Sequence, residues 1–140
     1  MSSPKIEVAR IAGPGKDNSS AQVLVPTVDQ LSEAEKGESP ALFIIGVLTS
    51  EKPIGADKIL GVTFETMADK FYSAKGGVLK RMTEISEESQ DILSDLFFKA
   101  GYGDEPFRVT LDLGILAVQD GVFYVWIDGE ISVSIVRGER

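Results

Sequence analysis

An α+β fold is what this sequence predicts: an antiparallel sheet with an antiparallel helix pair packed on one face. Three observations predict it. Between Phe107 and Val136 two Asp-Gly pairs, Asp120-Gly121 and Asp128-Gly129, separate runs of alternating apolar residues, which is a strong local signal for hairpins. Two helical patterns follow one another directly between Ala56 and Ala100, parted only by Gly76-Gly77. Strands and helices are grouped rather than alternating, which disfavours a parallel doubly wound sheet.

In chain order, Lys5 to Ala12 alternates loosely around Ile6 and Val8 and reads as a short strand. Gly13-Pro14-Gly15 turns the chain, and the polar run Lys16 to Ser20 extends that loop. A second strand spans Ala21 to Val25 and stops at Pro26. Asp29 to Pro40 is acidic and serine-rich, with too few apolar residues to bury a helical face, so a mobile acidic loop is expected at about residues 27–40. An acidic segment for docking a partner is the alternative there.

Ala41 to Leu48 is continuously apolar and reads as a buried strand. After the turn at Pro53 and Gly55, Leu60, Phe64, Met67, Ala68 and Phe71 recur at steps of three and four, which marks one face of a helix ending before Gly76-Gly77. Val78, Met82, Ile85, Ser89, Ile92 and Leu96 repeat the step. That second helix runs from Val78 to Ala100, or begins at Ser86 as N-cap.

The last third predicts a three-strand meander. Phe107, Val109, Leu111, Leu113, Ile115 and Ala117 share the dry face of its first strand, with Arg108, Thr110 and Asp112 on the other. Val122 to Ile127 is apolar on both faces and carries the only tryptophan, which suggests a central strand covered on two sides. The third strand alternates through Ile131, Val133 and Ile135.

Composition bounds the chemistry. The chain of 140 residues fits one domain, residues 1–140, and no apolar run approaches the roughly 20 residues that span a bilayer. The N-terminal residues have neither a secretory nor an organelle-targeting pattern, so a cytoplasmic location is expected, with no membrane partner. Twenty-two acidic against fourteen basic residues leave a net charge of -8 with no basic stripe, which argues against nucleic acid. There is no cysteine and no histidine, so thiolate nucleophiles, thiolate-bound zinc and the usual general base are all missing.

Few motifs survive inspection. No G-x-S-x-G elbow occurs, and a Ser–Lys pair is the one nucleophile arrangement the composition leaves open. Gly13-Pro-Gly-Lys16 lacks the spacing of a phosphate loop and reads as a turn. Gly76-Gly77 before a helix is more economically a helix–helix turn than an anion cradle. No catalytic or cofactor-binding residue is assigned. If a hard cation such as magnesium or manganese is held, its candidate ligands are Asp17, Asp112, Asp128 and Glu130, all in or beside turns of the expected sheet. Asp in Asp-Gly is otherwise explained by turn geometry.

The stretch Gly121 to Glu139, the loop Gly15-Lys-Asp-Asn-Ser-Ser, the strand Ala41 to Gly46 and the helix pair that follows it together resemble the N-terminal half of the PPM/PP2C-type protein phosphatases. The resemblance implies a β-sandwich flanked by helix pairs. In that family an aspartate of the first loop and an Asp-Gly after the strand hold two catalytic metal ions and the attacking water. The corresponding stretches here are Asn18-Ser19-Ser20 and Gly46-Val47-Leu48-Thr49, and the turn after Asp128 reads Gly129-Glu130 where the family has Gly-Asp. The resemblance therefore implies a non-catalytic, pseudophosphatase-like module without cofactor. It would bind a protein partner, or another copy of itself, through an uncovered sheet. The alternatives are a metal-dependent Ser/Thr phosphatase-like hydrolase, or a fragment of one, and an unrelated small α+β structural subunit.

Overall fold

Four antiparallel strands in the order β1-β2-β3-β4 carry the fold in the computed structural model, which describes residues 18–102 and 108–129. The elements are β1 (Ser19–Leu24), α1 (Val28–Glu35), β2 (Ala41–Ser50), α2 (Ala56–Ser73), α3 (Val78–Lys99), β3 (Val109–Gln119) and β4 (Val122–Asp128). The α+β class with an antiparallel sheet is as expected. The strand expected at Lys5 to Ala12, the Gly13-Pro14-Gly15 turn, Phe107 and the third meander strand lie outside the described residues.

The helix pair covers one face. Leu42, Ile44 and Leu48 on β2 and Leu113, Ile115 and Ala117 on β3 point toward it, paired so that Ile44 faces Ile115 and Leu42 faces Ala117 across the strands. α2 lies over β1 and β2, α3 reaches β3 and β4, and the two helices pack on each other. Leu60, Phe64, Met67 and Phe71 supply the buried stripe of α2, and Val78, Met82, Ile85 and Leu93 that of α3. Both helices accommodate buried hydroxyls by bonding them locally: Thr63 Oγ1 donates to the Ile59 carbonyl, and Ser89 Oγ to that of Ser86. These side chains stay small at a crowded place without leaving an unsatisfied polar group.

Gly46 decides how closely α2 approaches the sheet. A β-carbon there would stand 2.7 Å from the Phe64 ring and 3.0 Å from the Asp112 carbonyl oxygen, so the ring occupies the room a side chain would need. At the β3–β4 hairpin Asp120 and Gly121 both have positive φ, 51° and 74°, as the two-residue turn signalled by Asp-Gly requires.

Three expectations need correction. Residues 28–35, expected within an acidic loop, form α1. Thr27 and Gln30 make a capping box in which the Gln30 N–H donates to Thr27 Oγ1 and the Thr27 N–H to Gln30 Oε1. Only Ala34 of this helix is buried, and its carbonyl accepts the Asp120 N–H at 2.9 Å, so two caps and a tertiary bond replace a broad apolar face. β2 is covered on one face rather than two: Ile45, Val47 and Thr49 alternate outward from buried neighbours. β4, expected to be central and doubly covered, pairs only with β3 among the described residues, and Phe123, Val125 and Ile127 on one of its faces are exposed. In both strands a continuous apolar run concealed a period of two. The Ser86 start for the second helix is not taken, because the helix begins at Val78 after Gly77.

Candidate functional site

Pairing register fixes what the face away from α2 and α3 carries. Val23 pairs with Ile45, Ala21 with Val47, Phe43 with Leu116, Val47 with Asp112, and Leu116 with Val125. Side chains of paired residues share a face, so Val23, Phe43, Ile45, Val47, Leu116, Phe123, Val125 and Ile127 form one apolar field across the four strands. Five of these stand between 36% (Val47) and 43% (Val125) exposed. At one end of the field Ala41 and Val118 pair and are buried, and there α1 meets β2 and β3, tied down further by Gln119 Nε2 donating to the Gly37 carbonyl. The rest has no covering element among the described residues.

Among the described residues, only one charged side chain sits within the field. Asp112 stands beside Val47 across the strand, half-buried, and its carboxylate closes over Gly129. Asp128 pairs with Leu113, the neighbour of Asp112, and so belongs to the opposite face. The sheet therefore separates these two candidate cation ligands rather than bringing them together. Asp17 and Glu130 lie outside the described residues, among which no group of three or more acidic side chains is placed to hold a metal ion.

A second, polar cluster joins β1 to the start of α2. Ser20 Oγ donates to Asp57 Oδ1 at 2.7 Å, and Gln22 Nε2 donates to the same oxygen at 2.9 Å and to the Asp57 carbonyl. A serine beside a carboxylate has the outline of a nucleophile and base, but Ser20 is buried at 3% exposure and the amide of Gln22 shares its acceptor. The arrangement anchors the N-terminus of α2, where a carboxylate is favoured by the helix dipole and no side-chain cap is present.

Comparison with family models, with curated proteins and with solved structures finds no match.

Asn18-Ser19-Ser20 and Gly46-Val47-Leu48-Thr49 meet along the β1–β2 pairing. Ser19 pairs with Thr49, Ser20 with Leu48, and the Ser50 N–H donates to the Asn18 carbonyl at 2.8 Å. What they present there is hydroxyl, aliphatic and backbone groups. The open field itself was not legible residue by residue from the sequence. Its signal was the Gly in the middle of the β2 run, since Gly46 marks the side that a neighbour approaches closely and leaves Ile45 and Val47 to the other. No helix among the described residues is long and apolar enough to cross a membrane.

Proposed function

We propose that this protein is a non-catalytic binding module with a phosphatase-like, PPM/PP2C-type fold, which works in the cytoplasm and engages a protein partner or a second copy through the open face of its sheet. The observation that carries this reading is the apolar field of Ile45, Val47, Phe123, Val125 and Ile127 on a single face. Domains are built in layers, and an antiparallel sheet normally leaves water only a polar face, so a contiguous apolar one is the mark of a surface that another layer covers. Supporting the non-catalytic part, Asn18 to Ser20 and Gly46 to Thr49 supply no carboxylate where the resembled enzymes hold their metals. Neutral groups do not balance the charge of two close divalent ions.

The test is site-specific photocrosslinking with benzoylphenylalanine placed at position 45, on the open face, or at position 65, an exposed site on α2. The reading expects a discrete protein adduct from position 45 and none from position 65. Adducts from both or from neither would refute it. The enzymatic alternative is checked in parallel with manganese and a phosphoserine peptide: hydrolysis that disappears in Asp112→Asn would replace the binding reading with a catalytic one.

A further inference from the structure

On the open face, exposure drops abruptly along β2. Ile45 is 41% exposed, whereas Ala41, four residues back on the same side of the strand, is fully buried, and its β3 partner Val118 nearly so. Among the described residues, the element over that end of the face is α1, which meets both strands. Its attachment is slight. α1 buries Ala34 alone, against eight residues of α2. Two hydrogen bonds join it to the β3–β4 hairpin: the Asp120 N–H donates to the Ala34 carbonyl at 2.9 Å, and Gln119 Nε2 to the carbonyl of Gly37, just past the helix, at 3.1 Å. The capping box at Thr27 and the bond from Ser39 Oγ to Glu33 Oε2 stay within the segment and do not fasten it to the sheet.

Two turns of helix do not outlive that attachment. A helix shorter than about 12 residues is marginal in water by itself, so α1 melts once it leaves the sheet. Segments with few buried apolar contacts open at less cost than the whole fold. The strands keep their partners without α1, since β1 pairs with β2 from Ser19–Thr49 to Leu24–Ile44 and β2 pairs with β3 along its whole length. We infer that α1 is a strap, which melts off the sheet as a unit while the four strands, α2 and α3 stay folded, and whose opening lengthens the apolar face. With the strap shut the face ends at Phe43 and Leu116; with it open the face runs on to Ala41 and Val118. The strap is independent of whatever the face binds, and its test uses no partner.

The chain has no cysteine, so a single introduced thiol reports its own exposure. Ala41→Cys puts one under α1, and Ala117→Cys puts one at an equally buried position on the helix-covered face. Each full-length variant is labelled with dithiobis(nitrobenzoate), dilute enough that reclosing outpaces reaction, so that the rate follows the population of the open form. The thiol at 41 should react faster than the one at 117. Low urea should leave its rate nearly unchanged while raising the rate at 117 steeply, because strap opening exposes little surface and global unfolding exposes most of it. Adding Leu48→Ala, which weakens the core but not the strap, should speed labelling at 117 by about 30-fold or more and leave 41 as it was. Adding Thr27→Ala should speed labelling at 41 about fivefold. If urea or Leu48→Ala accelerates both thiols alike, α1 leaves only when the whole chain unfolds and the inference is wrong. It is equally overturned if Thr27→Ala leaves the rate at 41 unchanged, since the end of β2 then frays without α1. Should a thiol at 41 prevent folding, amide exchange of the unmodified chain decides: the Asp120 N–H, bonded to Ala34, should exchange together with the amides of α1 and with the same weak dependence on urea. An Asp120 amide as steeply dependent on urea as those within β3 would overturn the strap.

Discussion

Substituting Gly46 by alanine probes the contact that sets the distance between α2 and the sheet. The new β-carbon would meet the Phe64 ring at 2.7 Å and the Asp112 carbonyl oxygen at 3.0 Å, and Phe64 is only 2% exposed, so the ring has nowhere to swing without disturbing its neighbours. Overpacking of this kind costs about 1–3 kcal/mol. Replacing glycine in a strand returns roughly 0.5–1 kcal/mol through the unfolded chain, which leaves a net loss of up to about 2.5 kcal/mol. The assay is urea unfolding followed by far-ultraviolet circular dichroism and by Trp126 fluorescence. A double-mutant cycle isolates the cause, since Phe64→Leu withdraws the ring atom that meets the new methyl. In that background Gly46→Ala should be neutral or stabilising, a coupling of about 1–3 kcal/mol, the overpacking removed with the ring. If Gly46→Ala is harmless with Phe64 present, or equally damaging without the ring, the ring does not set this spacing.

Other outcomes follow from single interactions. Tyr72→Phe removes the oxygen that accepts the N–H of fully buried Leu42 at 2.9 Å, and should cost about 1–3 kcal/mol at neutral pH in the same urea assay. Burial raises the Tyr72 phenol above its usual 10.0, against a smaller lowering by the Leu42 N–H. The unfolded chain therefore gives up that proton first, and stability should fall as pH rises above 10.0, with a smaller fall in Tyr72→Phe when the two denaturation midpoints are compared across that range. Thr27→Ala breaks the capping box and should cost about 1 kcal/mol, read as faster amide exchange throughout α1 with the sheet unaffected. Leu48→Ala, at a fully buried position of β2, should cost about 2–5 kcal/mol by denaturant unfolding, whereas Val47→Ala on the open face should cost under about 1 kcal/mol.

What could be read in advance was what depends on local period and turn chemistry. The α2 and α3 stripes, the Gly76-Gly77 break and the Asp120-Gly121 hairpin are short-range features, and each stands where its residues indicate. The misreadings share a cause. In β2 and β4 residues on both sides of the strand are apolar, so alternation gives no contrast, and only the tertiary placement of α2 and α3 decides which side is covered. α1 escaped because its apolar content is low, although Thr27 and Gln30 at capping-box spacing were in view. The candidate cation ligands were proposed from proximity to turns. Strand register, which puts Asp112 and Asp128 on opposite faces, depends on pairing partners that spacing along the chain does not specify.

The most direct measurement is the unfolding free energy of the Ile45→Asp/Val125→Asp variant, compared with the parent by urea denaturation. An open face keeps both new carboxylates hydrated, so the variant should fold with the same circular dichroism and lose about 2 kcal/mol or less in total. A loss of many kcal/mol, or a chain that no longer folds, would mean the carboxylates were forced into the protein's own interior, and the face would then be core rather than a binding surface.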